Sequence, residues 1–265
     1  MKRAAATAMI ILKSKDELKE IREAGRIVAL TIEEVRQRAK PGVTTKELDA
    51  FAEQIIRSHG AIPPFKGYPN QHHGKDGRPF PGTLCLSINE ELVHGIPSKR
   101  ALKEGDILTI DCGAIYRGWV ADSAITVGIG EISPAAARLL EVTERAMWAA
   151  IDNARAGRRA GDISAALEKV VTAAGCSVVR EYTSHGVGRS LHEDPQIPNF
   201  GKPGHGPKLR SGMTIAIEPM VLAGRPETVL RPDEWTVASR DGKLTAHFEH
   251  TVAVTEGDPE ILTLP

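Results

Sequence analysis

The chain has 265 residues, with 34 Lys and Arg against 34 Asp and Glu, so its formal net charge is zero. That balance argues against a general binder of nucleic acid or anionic membranes, which needs a basic excess or a basic run. Charged residues at 26% and apolar ones at 41% belong to a globular chain, and aromatics at 4% leave little for stacking single-stranded nucleic acid.

Lys2 and Arg3, ahead of the Ala-rich stretch to Leu12, imitate a signal peptide. The apolar part is only about nine residues long, near the lower limit for such a segment. Residues 1–9 are therefore expected to be a ragged N-terminus, and no run of 18 apolar residues exists to span a membrane. Ser14-Lys15-Asp16-Glu17 is a capping box; Leu18, Ile21, Val28, Ile32 and Val35 behind it predict a long amphipathic helix, stopped by Pro41-Gly42. A second box, Thr44-Thr45-Lys46-Glu47, opens a helix with Leu48, Phe51, Ala52 and Ile55 on one face and Gly60 past its end. His59 suits the negative end of that helix. From Lys66 to Gly82, Pro, Gly, Asn, His and Asp crowd together, which predicts a long surface loop (66–82) with His72-His73 as a solvated pair. Cys85, Cys112 and Cys176 include no Cys-x-x-Cys pair, which excludes a disulfide framework or a Cys₄ zinc site and suits a reducing cytosol. Ile107 to Asp111 and Val120 to Val127 read as strands joined by a turn containing Arg117-Gly118. A helical stretch follows from about Pro134 to Ala154, and another carries Ile163, Ala166, Leu167 and Val170.

These later elements repeat the earlier ones. Gly157 and Gly175 bracket their helix at the spacing of Gly42 and Gly60. Val93-His94-Gly95-Ile96 is echoed by Ser184-His185-Gly186-Val187, and the run Leu102, Gly105, Ile110-Asp111 by Leu209, Gly212, Ile217-Glu218. The expectation is two α+β halves related by a pseudo-two-fold, forming one domain over residues 1–265, each half bringing a His and an acid toward the middle.

With the turn centred between Tyr116 and Arg117, Asp111 and Asp122 are predicted to face each other, their Cβ atoms about 4.5–5.5 Å apart. Like charges so placed repel, and a shared cation, or two metals about 3.5–4 Å apart, is the simplest remedy. Either Asp alone is better explained by a turn or an ordinary hydrogen bond; the pair in register weakens that reading. Glu218 and Glu249 are further acids in strand-like apolar contexts, and acids are rarely buried unpaired. His185 adds an imidazole. An oxygen-rich set with one nitrogen suits Mn, Fe(II), Co or Zn in a dinuclear hydrolase better than a structural zinc. His192-Glu193 is no zincin motif, because Pro195 would break the helix that motif needs.

Together, Asn89-Glu90-x-x-Val93-His94-Gly95-Ile96-Pro97, Asp111 with Asp122, Ser184-His185-Gly186-Val187-Gly188, His192-Glu193-x-Pro195, Glu218-Pro219-Met220 and Glu249-His250-Thr251 form a specific set. From about Ile10 to Leu262 the chain resembles the type I methionine aminopeptidases, in their short bacterial form. That resemblance implies the α+β pita-bread fold: duplicated, with pseudo-two-fold symmetry, and an antiparallel sheet covered by helices on one face. It implies hydrolytic removal of the initiator Met from nascent proteins with a small second residue. It also implies two divalent metal ions on Asp111, Asp122, His185, Glu218 and Glu249, with Asp122 and Glu249 bridging. His94 and His192 match the histidines that touch the substrate peptide bond, and Glu218 matches a general base and acid. Tyr68, Phe80, Cys85 and Trp235 are the expected pocket lining. Pro69 to Pro79 looks like an insertion near that pocket, and Leu191 stands where many relatives carry an aromatic. A cytoplasmic monomer is expected, transiently associated with ribosomes, with no nucleic-acid or membrane partner. The rival readings are a proline-specific aminopeptidase or dipeptidase of the same fold, whose usual extra N-terminal domain has no room here, and a non-catalytic binding protein of that fold.

Overall fold

The computed structural model of the chain describes residues 10–70 and 77–265, so the expectations for residues 1–9 and for His72-His73 lie outside the described residues. In chain order the elements are α1 (Lys15–Arg38), α2 (Thr45–Ser58), β1 (Leu84–Ile88), β2 (Glu91–Val93), β3 (Ile107–Tyr116), β4 (Trp119–Gly128), α3 (Pro134–Ile151) and α4 (Ala160–Ala173). They continue with β5 (Ser177–Val178), β6 (Thr183–Gly186), β7 (Glu193–Pro198), β8 (Thr214–Ile217), β9 (Met220–Leu222), β10 (Thr228–Leu230), β11 (Val237–Ser239), β12 (Thr245–His247), β13 (Glu249–Ala253) and β14 (Glu260–Ile261).

The first two helices start where their sequence chemistry places them. Ser14 Oγ accepts the Glu17 backbone N–H while the Glu17 carboxylate accepts that of Ser14, and Thr44 and Glu47 repeat the exchange. α1 buries Ile21, Ala24, Val28, Ile32 and Val35 as one stripe. Gly60, at φ 73°, provides the left-handed step after α2.

The main sheet runs β1-β3-β4-β13-β8-β6-β7, with β14 on the flank of β13, and every pairing is antiparallel. β4 and β13 meet at its middle. From that seam β3 and β1 extend one way, β8 and β6 the other, so the two sequence halves lie on opposite sides of one junction. Gly105 (φ 86°) before β3 and Gly212 (φ 90°) before β8 take the same left-handed step, which is the repeat in backbone form. Side-chain alternation splits each strand between two faces. Ile110 and Cys112 of β3 join the core under α1 and α2, and Ile215 and Ile217 of β8 join the core under α3 and α4. The intervening residues face away from the helices, and they carry the acids.

Two expectations need correction. The β3–β4 hairpin turns on Arg117 and Gly118, both at positive φ, which makes a two-residue turn with Tyr116 opposite Trp119. Asp111 therefore lies opposite Ala124 and Asp122 opposite Gly113, not opposite each other. The shift is by two residues, so both carboxylates keep the same face, as diagonal neighbours. The segment 66–82 is also not wholly a surface excursion. Asn70 and Phe80 are buried, and Phe80 packs edge-on against Trp235 with ring centroids 5.2 Å apart.

Candidate metal centre and substrate cleft

The site is assembled by register across the seam. Asp111 on β3, Ala124 on β4 and Glu249 on β13 form one transverse row. His185 on β6, Ala216 on β8 and Thr251 on β13 form the next. Asp122 is tied to the second row through Thr251, whose hydroxyl donates to the Asp122 carbonyl at 2.8 Å and accepts its N–H at 3.0 Å. Glu218 follows the last residue of β8, and its backbone N–H donates to Ser184 Oγ at 3.0 Å. Alanine at two points of this grid, and Gly113 beside Asp122, leave the space above the sheet open. A Cβ on Gly113 would lie 2.6 Å from Pro64 Cγ.

Asp111, Asp122, His185, Glu218 and Glu249 are all buried. Their polar atoms converge without satisfying one another: Asp111 Oδ1, Asp122 Oδ1 and Glu249 Oε1 lack hydrogen-bond partners. Burial pushes Asp111 up to about 6 and Asp122, Glu218 and Glu249 well above the carboxylate range, with the neighbouring acids adding to each of the last three. Orphaned buried oxygens with this mutual repulsion are what a divalent cation relieves. One oxygen or nitrogen from each of Asp122, His185 and Glu249 lies within 4.8 Å of the other two, and the same holds for Glu218, His247 and Glu249. Asp111 belongs to neither trio; Cys85 lies directly across from it on β1.

The histidines are tuned by their contacts. His185 Nδ1 lies 2.8 Å from the Gly186 carbonyl, an acceptor only, so the proton sits there and Nε2 keeps a free lone pair. Burial and the nearby His192 lower His185 to about 3, so the ring is neutral. His192 is also held low by burial; its ring stands 4.4 Å from that of His185, and its Nδ1 meets the Tyr68 hydroxyl at 2.6 Å. His94 occupies a left-handed conformation (φ 59°), which costs about 1–3 kcal/mol in a non-glycine residue. The next residue explains why the bend persists. Gly95 backs onto β1, its carbonyl accepting from Leu86 N at 2.9 Å, and a Cβ there would strike the Leu86 carbonyl oxygen. The His94 ring then stands edge-on to Tyr182 and Trp235.

Above the acids opens a cleft of about 650 Å³. Its apolar end is lined by Phe65, Tyr68, Phe80, Cys85, Leu191 and Trp235, and Trp235 Nε1 donates to the Arg78 carbonyl at 2.8 Å. The cleft thus brings His94, His192, the five acid and imidazole residues of the floor, and the four sequence-selected lining residues to one place.

Sequence reasoning missed two features. His247 is buried beside Glu218, two positions before Glu249 in an extended run, and that period of two was the available signal. Lys13 forms a buried 2.6 Å pair with Glu193, whose other oxygen accepts the N–H groups of Arg189 and Ser190. That knot fixes the turn preceding His192, and nothing in the spacing of residues so far apart announces it.

The sequence profile described as metallopeptidase family M24 matches residues 19–256. Methionine aminopeptidase 1 of Bacillus subtilis is 52% identical over 96% of this chain and 99% of its own length. A methionine aminopeptidase of Clostridium acetobutylicum is 48% identical over 97% and 99%. The crystal structure of the methionine aminopeptidase of Thermotoga maritima superposes with a TM-score of 0.92 at 42% identity, covering 97% of this chain and all of that one.

Proposed function

Since the chain belongs to metallopeptidase family M24, and within it to the methionine aminopeptidases, which remove N-terminal methionine, we propose that its cleft is a dinuclear centre acting on nascent proteins with a small second residue. The observation that carries this is the convergence of unsatisfied buried acids beneath an apolar cleft. Asp111, Asp122, His185, Glu218 and Glu249 would hold the cations. Manganese, Fe(II), cobalt and zinc all suit such a donor set. Bound there, divalent ions supply Lewis-acid polarisation and a water acidified to near neutral pH.

The protein's own groups do the rest. Glu218 stands within 3.4 Å of His185 Nε2, positioned to take the proton of the attacking water and deliver it to the leaving amine. A neutral His192 whose Nδ1 accepts the Tyr68 hydroxyl proton carries its own proton on Nε2, the tautomer that donates to a developing oxyanion. His94, held on its fixed bend, contacts the scissile amide nitrogen. Tyr68, Phe80, Cys85, Leu191 and Trp235 receive an unbranched apolar side chain. The acidic floor, with the cations it would hold, would receive the free α-amine, which would restrict cleavage to chain ends. The whole chain works as one domain, a cytoplasmic monomer meeting its substrate at the ribosome; no described helix is long and apolar enough to cross a membrane.

The test is hydrolysis of Met-Ala-Ser against Ala-Pro-Ala after metal removal and re-addition of single cations. Cleavage of Met-Ala-Ser alone, abolished by chelation and by Asp122→Asn or Glu249→Gln, is expected. Preference for Ala-Pro-Ala would favour a proline-specific peptidase, and turnover that survives chelation would remove the metal from the mechanism.

A further inference from the structure

The buried imidazole of His247 has no place in the five-residue set. Its backbone is clamped: the N–H donates to Thr126 Oγ1 at 2.9 Å, and the same hydroxyl donates to the His247 carbonyl at 2.8 Å. His247 is 1% exposed, and neither ring nitrogen makes a hydrogen bond. An imidazole buried in that state costs free energy unless something engages its lone pair. Nε2 points into the acid cluster, 3.4 Å from Glu218 Oε2 and 3.9 Å from Glu249 Oε2. On the far side of the same carboxylate, His185 Nε2 lies 3.4 Å from Glu218 Oε1. Glu218 therefore stands between two imidazoles, one to each oxygen.

The spacing distinguishes a ligand from a neighbour. Metal–donor bonds of about 2.1 Å meeting at about 90–120° place their donors about 3.0–3.6 Å apart. Both Glu218–imidazole separations fall in that range, and Glu218, His247 and Glu249 form a compact trio in their own right. We propose that His247 is a sixth protein ligand of the centre, sharing a cation with Glu218 and Glu249. The centre would then carry two imidazoles rather than one. This rests on the dinuclear reading above.

The experiment loads the metal-free full-length protein with Co(II), follows uptake by calorimetry, and records the solvent-exchangeable, hyperfine-shifted imidazole N–H signals by proton NMR. Wild type should bind two Co(II) ions and show two such signals. His247→Gln, which retains a polar side chain of similar length, should lose one signal and bind one ion at least about tenfold more weakly, since losing even an outer partner of a metal ligand costs about 10–100-fold. Its melting temperature in chelator should match wild type. Two bound ions with a single imidazole signal in wild type, a count that needs no variant, would overturn the ligand role and leave the dinuclear reading standing. So would a His247→Gln protein that keeps both signals. Failure of wild type to take up two Co(II) ions would instead overturn the dinuclear reading, and this inference with it.

Discussion

At the scale of single residues, His192 shows how one contact would set the role proposed for it. Burial favours its neutral form, and with the Tyr68 hydroxyl as donor in the proposed mechanism, the 2.6 Å bond would leave the ring proton on Nε2. His192→Ala is expected to lower kcat by about 10²–10³, the usual loss when one oxyanion donor goes. Tyr68→Phe leaves the donor but frees its tautomer, so a smaller fall of about tenfold is expected, in line with one hydrogen bond of ~1 kcal/mol. Paired kcat and KM measurements check both; a Tyr68→Phe enzyme with an unaltered kcat would show that the bond orients nothing. His192 could be selected from the sequence by its motif. Tyr68 could be selected only as pocket lining, because its partner lies on the other half of the chain.

At the scale of elements, α1 carries a residue that reads one way alone and another in place. Gly25 sits mid-helix, where replacing glycine with alanine ordinarily gains about 1 kcal/mol. In the fold, α1 crosses the C-terminal segment at this point, and a Cβ on Gly25 would collide with the Leu262 carbonyl, with Thr263 Cα at 3.2 Å. Backbone cannot step aside as a flexible side chain can. Gly25→Ala is therefore expected to destabilise the protein by about 1–3 kcal/mol, the usual cost of overpacking, and a melting curve that rises instead would refute the close crossing. The β3–β4 hairpin teaches the same distinction. Its strands and their shared face were legible from alternation, but the register was set by two residues at positive φ, which displaced the two carboxylates onto a diagonal.

At the scale of the molecule, a net charge of zero conceals four acids gathered at one seam. In cation-free protein, Asp122, Glu218 and Glu249 hold protons more tightly folded than unfolded, because burial and repulsion raise their pKa values. Where the folded state binds more protons, stability falls as pH rises. Buried His185, lowered to about 3, and His250, lowered by burial to about 4, act in the opposite sense, but only below the ordinary histidine value of 6.5. Above about pH 6.5 the acids set the slope, and toward pH 8 the buried Cys85 and Cys112 thiols, also raised by burial, add to it in the same sense. Chelated protein should accordingly melt lower at about pH 8 than at pH 6.5, and saturating Mn(II) or Co(II) should raise the melting temperature more at the higher pH, where fewer protons must leave the ligands. A chelated protein whose stability is flat over this range would mean that the acids are not jointly buried.

The sequence by itself determined the helix starts, the duplication, the facing of the strands and the identity of the acids. Each of these depends on short-range chemistry: a cap and its partner three residues on, a glycine at a fixed offset, a period of two. Only the tertiary structure decided the hairpin register, the crossing at Gly25, the Lys13–Glu193 knot and the place of His247 between Glu218 and Glu249. Those depend on which surfaces meet across the seam, and contacts between residues far apart in the chain leave no local pattern to read.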